Sequence, residues 1–233
     1  MLPPIKGLLE SSLLEWRGRV ASAVFLPGCN FRCPYCHNHG LVLKPDEYET
    51  MSLDAVLQRF DELRKWNDGV VVSGGEPTLH PGLPKLVAKL RAAGWPVKLD
   101  TNGTKPEVLA GLLELRMLDA VSMDIKAPLN PVAYRRNSGV AADLEAVATS
   151  IELLANSGIE VEFRTTVTPG LLDDREVREI RELVHSHGEG LRYKVQAYNP
   201  SDPLDPELRT TPPGEAAQPQ SPTRPKHLLA NSA

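Results

Sequence analysis

The chain has 233 residues, 41% of them hydrophobic and 24% charged, with a formal net charge of -4. Such a chain buries one sizeable core, is too hydrophobic for a disordered protein, and offers none of the basic surface that a nucleic-acid partner requires. No apolar window of about 18 residues occurs and the opening MLPPIKGLLESSLLEW lacks a basic region followed by an apolar run, which predicts a cytoplasmic protein with no membrane association. Short runs rich in β-branched residues and bounded by turn signals, at 20–26, 69–73, 96–100, 120–124, 160–168 and 191–198, read as six strands. Amphipathic stretches at 53–66, 82–93, 106–115, 142–156 and 174–187 read as the helices between them. This alternation predicts an α/β fold with a parallel sheet, in too few units to close an eight-stranded barrel. Residues 1–200 read as one domain. From Asn199 onward prolines recur and the hydrophobic period fades, so 201–233 read as a Pro-rich tail, largely disordered from about position 212.

Polar residues recur on one face of the later strands. Ser122, Asp124 and Lys126 alternate with Val121, Met123 and Ile125, while Glu162, Arg164, Thr166 and Thr168 alternate with Val161, Phe163 and Val167. Gln196 and Tyr198 extend the pattern to the last strand. The apolar set belongs under helices, which turns charged groups toward the sheet's interior, where they need a ligand or each other.

All three cysteines fall in one short string, Cys29-Asn-Phe-Arg-Cys33-Pro-Tyr-Cys36. Structural zinc sites and ordinary ferredoxin clusters take four protein ligands, so three grouped thiols imply a metal centre with one open position, and three soft thiolates favour iron–sulfur. A zinc knuckle completed by His37 or His39, in a noncatalytic protein, is the competing reading. Unpaired thiols fit a reducing compartment. Other chemistry-bearing residues lie just after strands: Ser73-Gly74-Gly75-Glu76-Pro77, Asp100-Thr101-Asn102-Gly103 and Met123-Asp124-Ile125-Lys126. The two glycines allow close backbone approach to a ligand and Glu76 offers an acceptor for an ammonium group. His80, His185 and His187 show no ligand spacing.

The string CxxxCxΦC, with Tyr35 at the aromatic position, resembles the signature of the radical S-adenosylmethionine (SAM) superfamily. The resemblance implies an open, partial (β/α)6 TIM-like barrel, a 4Fe-4S cluster on Cys29, Cys33 and Cys36, and SAM bound to the fourth iron. One electron would then split SAM into methionine and a 5'-deoxyadenosyl radical. Gly74, Gly75 and Glu76 resemble the GGE motif that holds the SAM amino group, with Tyr35, Cys36 and His37 beside the cofactor. Asp100 and the Asp124-Ile125-Lys126 segment resemble motifs of the pyruvate formate-lyase activating enzymes, in which the acids sit near a monovalent cation and the lysine approaches the SAM carboxylate. Thr168-Pro169-Gly170 resembles the V-P-G turn of that subfamily but lacks the histidine that follows it there. The Cys36-His37-Asn38 ending and the lead-in 12–16 are most similar to the anaerobic ribonucleoside-triphosphate reductase activating proteins. That likeness implies a glycyl-radical enzyme polypeptide as partner and a flavodoxin- or ferredoxin-type electron donor. A radical SAM enzyme acting on a small molecule is the alternative. No cysteine remains for a second cluster.

Overall fold

The computed structural model describes residues 1–209, so the disorder expected from about position 212 concerns residues outside the described part. Seven strands form one sheet in chain order: β1 (Gly7–Ser12), β2 (Ala21–Leu26), β3 (Gly69–Gly74), β4 (Val97–Thr101), β5 (Ala120–Asp124), β6 (Glu160–Val167) and β7 (Arg192–Ala197). β2 to β7 are parallel, as the alternation of elements predicts, and β1 pairs antiparallel with β2. β7 does not pair with β1, so among the described residues the sheet curls into a partial barrel with an open side.

Seven helices accompany it: α1 (His39–Leu43), α2 (Leu53–Glu62), α3 (Leu83–Ala92), α4 (Pro106–Glu114), α5 (Pro131–Ser138), α6 (Leu144–Ala155) and α7 (Asp174–Ser186). Ser52, Asp143 and Asp173 cap the N-termini of α2, α6 and α7, the last in a capping box with Glu176. β1, α1 and α5 have no counterpart among the sequence-predicted elements. α5 is short, four of its eight residues are polar, and it is fixed by the Asn130 cap and the Pro131 start rather than by an apolar stripe. α2 ends at Glu62 rather than at 66, where the chain turns back toward β3 and the Asn67 side chain binds Glu10 O and Ser22 Oγ.

Two hydrophobic clusters position everything else. The larger lies between sheet and helices and holds Val70, Val72, Leu99, Val121, Met123, Val161 and Phe163 with Leu86, Leu112 and Ile151. The smaller fills the interior at the end away from the C-terminal ends of the strands, where Trp16 sits among Ala21, Ala23, Phe25, Val71 and Ala120. Small strand residues make the room for that indole: a Cβ on Gly69 would stand 2.7 Å from its ring. Trp16 Nε1 donates to Glu160 Oε2, and Lys98 Nζ donates to Glu15 O, so the β1–β2 loop closes the barrel floor. The start of the Pro-rich tail is part of this fold. Residues 199–209 fold back on the cysteine loop, where Asp205 N donates to Pro34 O and His39 pairs with Asp202 at 3.4 Å.

Candidate active site

Each predicted loop lies at the C-terminal end of its strand, and the pattern brings them to one rim. The cysteine loop leaves β2 through Pro27 and Gly28, the latter at φ +75. It is tied to the next loop by Gly75 N to Leu26 O and Glu76 N to Gly28 O, both at 2.8 Å, and by Asn38 Nδ2 to Gly74 O at 2.7 Å. Gly74 has φ +121, and a Cβ on Gly75 would lie 1.8 Å from Gly28 O. Gly75→Ala is therefore expected to displace the cysteine loop and cost about 1–3 kcal/mol. Thermal melts and iron content after anaerobic reconstitution check this, and unchanged values of both would refute it.

The fully buried Glu76 carboxylate joins the second and third loops. Its Oε1 accepts from Thr78 N, Thr78 Oγ1 and Thr101 Oγ1, while its Oε2 accepts from Asn102 N at 2.6 Å, which leaves that oxygen room for a further donor. Burial pushes its pKa up, against the pull of those bonds. Asn102 reaches on to Asn30 Oδ1 at 2.9 Å and stands 3.9 Å from Cys29 Sγ, and Asn30 Nδ2 donates to Thr104 Oγ1. This asparagine pair spans the first and third loops and was legible in sequence only as turn chemistry.

Across the barrel the charged strand faces meet. Parallel pairing sets Arg164 beside Asp124. Arg164 Nε donates to Asp124 at 2.9 Å and its Nη2 lies 3.5 Å from Asp100, while Lys126 pairs with Asp124 at 3.0 Å and Lys98 with Asp100. Burial opposes ionisation of Asp124, yet Arg164 and Lys126 hold its carboxyl well below the usual carboxylate range. Burial likewise opposes charge on Arg164, and Asp100 and Asp124 outweigh it. Both carboxylates are thus paired with protein cations. Arg164 and Lys98 are central to the network although the sequence motifs did not single them out.

The three thiols are free and line one cavity of about 520 Å³ together with Tyr35, His37, Gly74, Gly75, Glu76, Asp100, Asp124, Lys126 and Arg164. Ile125, expected with this set, instead turns its side chain into the core under the helices and contributes backbone bonds to Arg164 and Thr165, as strand alternation dictates. Lys126 Nζ stands 5.9 Å from the centroid of the Tyr35 ring, whose buried hydroxyl has no partner among the described residues. Burial pushes the Cys29 and Cys33 thiols up to about 11, so their thiolates need a cationic centre beside them. Among the described residues no group of three His, Cys, Asp or Glu side chains is gathered to hold a single metal ion. Three reduced thiols along one cavity wall fit a group that bridges them. On the open side the cavity is bounded by Leu14 and Glu15 at one lip and by Lys194, Val195, Gln196, Ala197 and Asn199 at the other.

Residues 23–184 match the profile of the radical SAM superfamily. The chain belongs to that superfamily. A protein of Methanocaldococcus jannaschii that bears the name glycyl-radical enzyme activating enzyme is 30% identical over 213 residues, which is 89% of this chain and 85% of that one. This likeness sets the chain with the activating group, as the cysteine string implied. A Thermococcus kodakarensis protein named for GTP 3',8-cyclase is 31% identical over 166 residues, covering 69% of this chain and 51% of that protein. SuiB of Streptococcus suis, solved bound to S-adenosylmethionine, shares the fold at a TM-score of 0.57 and 14% identity, over 76% of this chain and 42% of SuiB. The chain therefore spans about half or less of the latter two. It is a radical SAM enzyme, which sets aside a noncatalytic zinc protein, and membership implies a 4Fe-4S cluster and SAM. No helix among the described residues is long and apolar enough to cross a membrane.

Proposed function

We propose that this radical SAM enzyme is a glycyl-radical enzyme activase of the anaerobic ribonucleotide reductase type, with a polypeptide glycine as its substrate. The observation that carries the reading is the open side of the barrel, which leads from the lips at Leu14 and Lys194 directly to the cavity lined by the thiols. Cys29, Cys33 and Cys36 would hold the cluster. When bound, the cluster and SAM supply one electron to the sulfonium and a 5'-deoxyadenosyl radical that takes a hydrogen atom from the substrate.

The chain's own residues bind and orient. Gly74 and Gly75 let the backbone approach the amino-acid end of SAM, and the spare acceptor position on Glu76 suits its ammonium group. Lys126, steadied by Asp124, offers a positive charge for its carboxylate. Arg164, itself paired with Asp100, fixes Asp124 in place from the neighbouring strand. Tyr35, His37, Cys36 and Asn38 line the same wall, and the 199–209 segment packs on the Pro34 flank of the cysteine loop. The Ile125 amide and carbonyl hold the fourth loop to β6. Free thiols support a cytoplasmic setting, and the likeness to the activating group supports a flavodoxin- or ferredoxin-type donor.

Electron paramagnetic resonance tests the reading. Incubation with an anaerobic ribonucleotide reductase large subunit, SAM and dithionite is expected to yield a glycyl-radical doublet and deoxyadenosine in matching amounts. A second reading, a small-molecule substrate, is favoured by the GTP 3',8-cyclase relative and by a cavity in the size range of small-ligand sites. Deoxyadenosine formed only with a nucleotide such as GTP, and no radical on any glycyl-radical polypeptide, would establish that reading instead.

A further inference from the structure

We propose that the surface formed by Arg32 and the outer side of α5 is the docking face for an acidic one-electron carrier protein. This inference rests on the cluster reading above and adds where the electron enters.

Arg32 lies inside the cysteine string, next to Cys33, yet its side chain stays exposed. Its Nη1 donates to Cys29 O and Phe31 O, both at 2.7 Å, so the guanidinium lies across the outside of the loop. The C-terminal end of α5 meets the loop here. Arg32 N donates to Ser138 O at 2.7 Å, and Gly139, at φ +75, approaches so closely that a Cβ would stand 2.1 Å from Arg32 O. One turn back, Arg135 is exposed and its carbonyl accepts from Gly139 N, and Val132 on the same helix is 76% exposed. The result is an exposed surface that carries Val132 and two guanidinium groups. It is separated from the thiols only by the loop itself and by Phe31, which packs edge-on against Tyr134.

Exposed arginines divide into paired and unpaired ones, and Arg32 and Arg135 are unpaired beside the cysteine loop, as Arg17, Arg116, Arg178 and Arg181 are elsewhere among the described residues. Arg59, Arg64, Arg91, Arg175, Arg192 and Arg209 each have a carboxylate partner, whereas among the described residues neither Arg32 nor Arg135 does. Arg136 beside them is neutralised by Glu176. The acids near the cysteine loop, Asp202, Asp205 and Glu207, belong to the segment that packs past Pro34, on the loop's other flank. The two flanks of the loop thus carry opposite charge in a chain whose net charge is -4. A partner guided here is acidic. The inner side of the loop faces the cavity, so an external donor reaches the cluster from outside. There the carrier loses one electron and the cluster gains it, with no other reactant. Exposed charge of this kind acts on encounter rate and salt sensitivity more than on final affinity.

The test is stopped-flow reduction of the reconstituted protein by flavodoxin hydroquinone at low and physiological salt. For Arg135→Glu the second-order rate at low salt is expected to fall about tenfold or more, with a flatter salt dependence. Lys89→Glu on α3, which changes net charge equally on another face, is expected to leave the rate unchanged, and dithionite is expected to reduce all forms alike. Calorimetric binding of oxidised flavodoxin to the cluster-free protein gives a second readout and is expected to weaken in parallel. Equal rates, salt dependence and binding for wild type and Arg135→Glu would overturn the proposal. Failure of dithionite to produce a reduced cluster in the wild type would instead refute the cluster reading, with flavodoxin binding still deciding the surface.

Discussion

Cys33→Ala is expected to lower deoxyadenosine release under dithionite by on the order of a thousandfold or more, to background, and Cys29→Ala and Cys36→Ala are expected to match it. Three ligands are the minimum set here, because no other cysteine exists to take a vacant place. Cys33 is the most enclosed of the three, at 7% exposure, and burial raises the pKa of each. A lone pair of buried thiols would stay protonated and bind iron weakly. The fold itself is expected to survive, since the loop is anchored by backbone bonds to Gly28, Gly75 and Ser138 rather than by the thiols. Iron analysis, circular dichroism and quantification of deoxyadenosine check all three statements together. Release that survives any one of these substitutions would remove the basis for a cluster on this loop.

Asp124→Asn is expected to be the most damaging polar substitution. The amide keeps the shape but leaves Arg164 and Lys126 facing each other with half their compensation gone. Breaking an enclosed ion pair costs about 3–5 kcal/mol, and the Asp124 side chain, 30% exposed to the cavity, belongs toward or below the lower end, at about 2–3 kcal/mol. SAM binding is expected to weaken at the same time, because Lys126 loses the partner that aims it. The pH dependence follows from the direction of the shift. The folded pKa of Asp124 lies below the unfolded value of about 3.9, so its stabilisation is fully present above that value and is lost as pH falls below it toward the folded pKa. Denaturant titrations between neutral pH and about pH 3 should show a steeper acid loss for wild type than for Asp124→Asn. Parallel curves would place the charge network outside the folding energetics.

Much of this site was legible without coordinates. The strands expected at 120–124 and 69–73 reappear as β5 and β3 within one residue, because β-branched runs closed by turn residues leave little alternative. Alternation on β5 and β6 correctly turned Asp124 and Arg164 inward and Met123 and Phe163 outward. Ile125 was expected beside the cofactor from its motif, yet its side chain lies in the core with the outward set. β1 escaped notice because GLLESS has neither strict alternation nor a β-branched run, and it is held by its antiparallel ladder to β2. Trp16 belonged to a lead-in string with no stated role, and only the packing among Ala21, Ala23 and Gly69 reveals it as the barrel's floor.

Spacing along the chain pointed to the chemistry: three thiols within one short loop favour a metal centre with an open position, and alternating strand and helix periods favour a parallel α/β sheet. Those are near-neighbour properties, fixed by local geometry and ligand preference. Which groups oppose one another across the interior was decided only by strand register and the curl of the sheet. Asp100 and Arg164 are 64 positions apart and meet only because β4, β5 and β6 lie side by side with their polar faces inward. The fold-back of 199–209 onto Pro34 and the unpaired edges that leave one side of the barrel open are tertiary for the same reason: they depend on contacts between segments whose own sequences carry no signal of the partner.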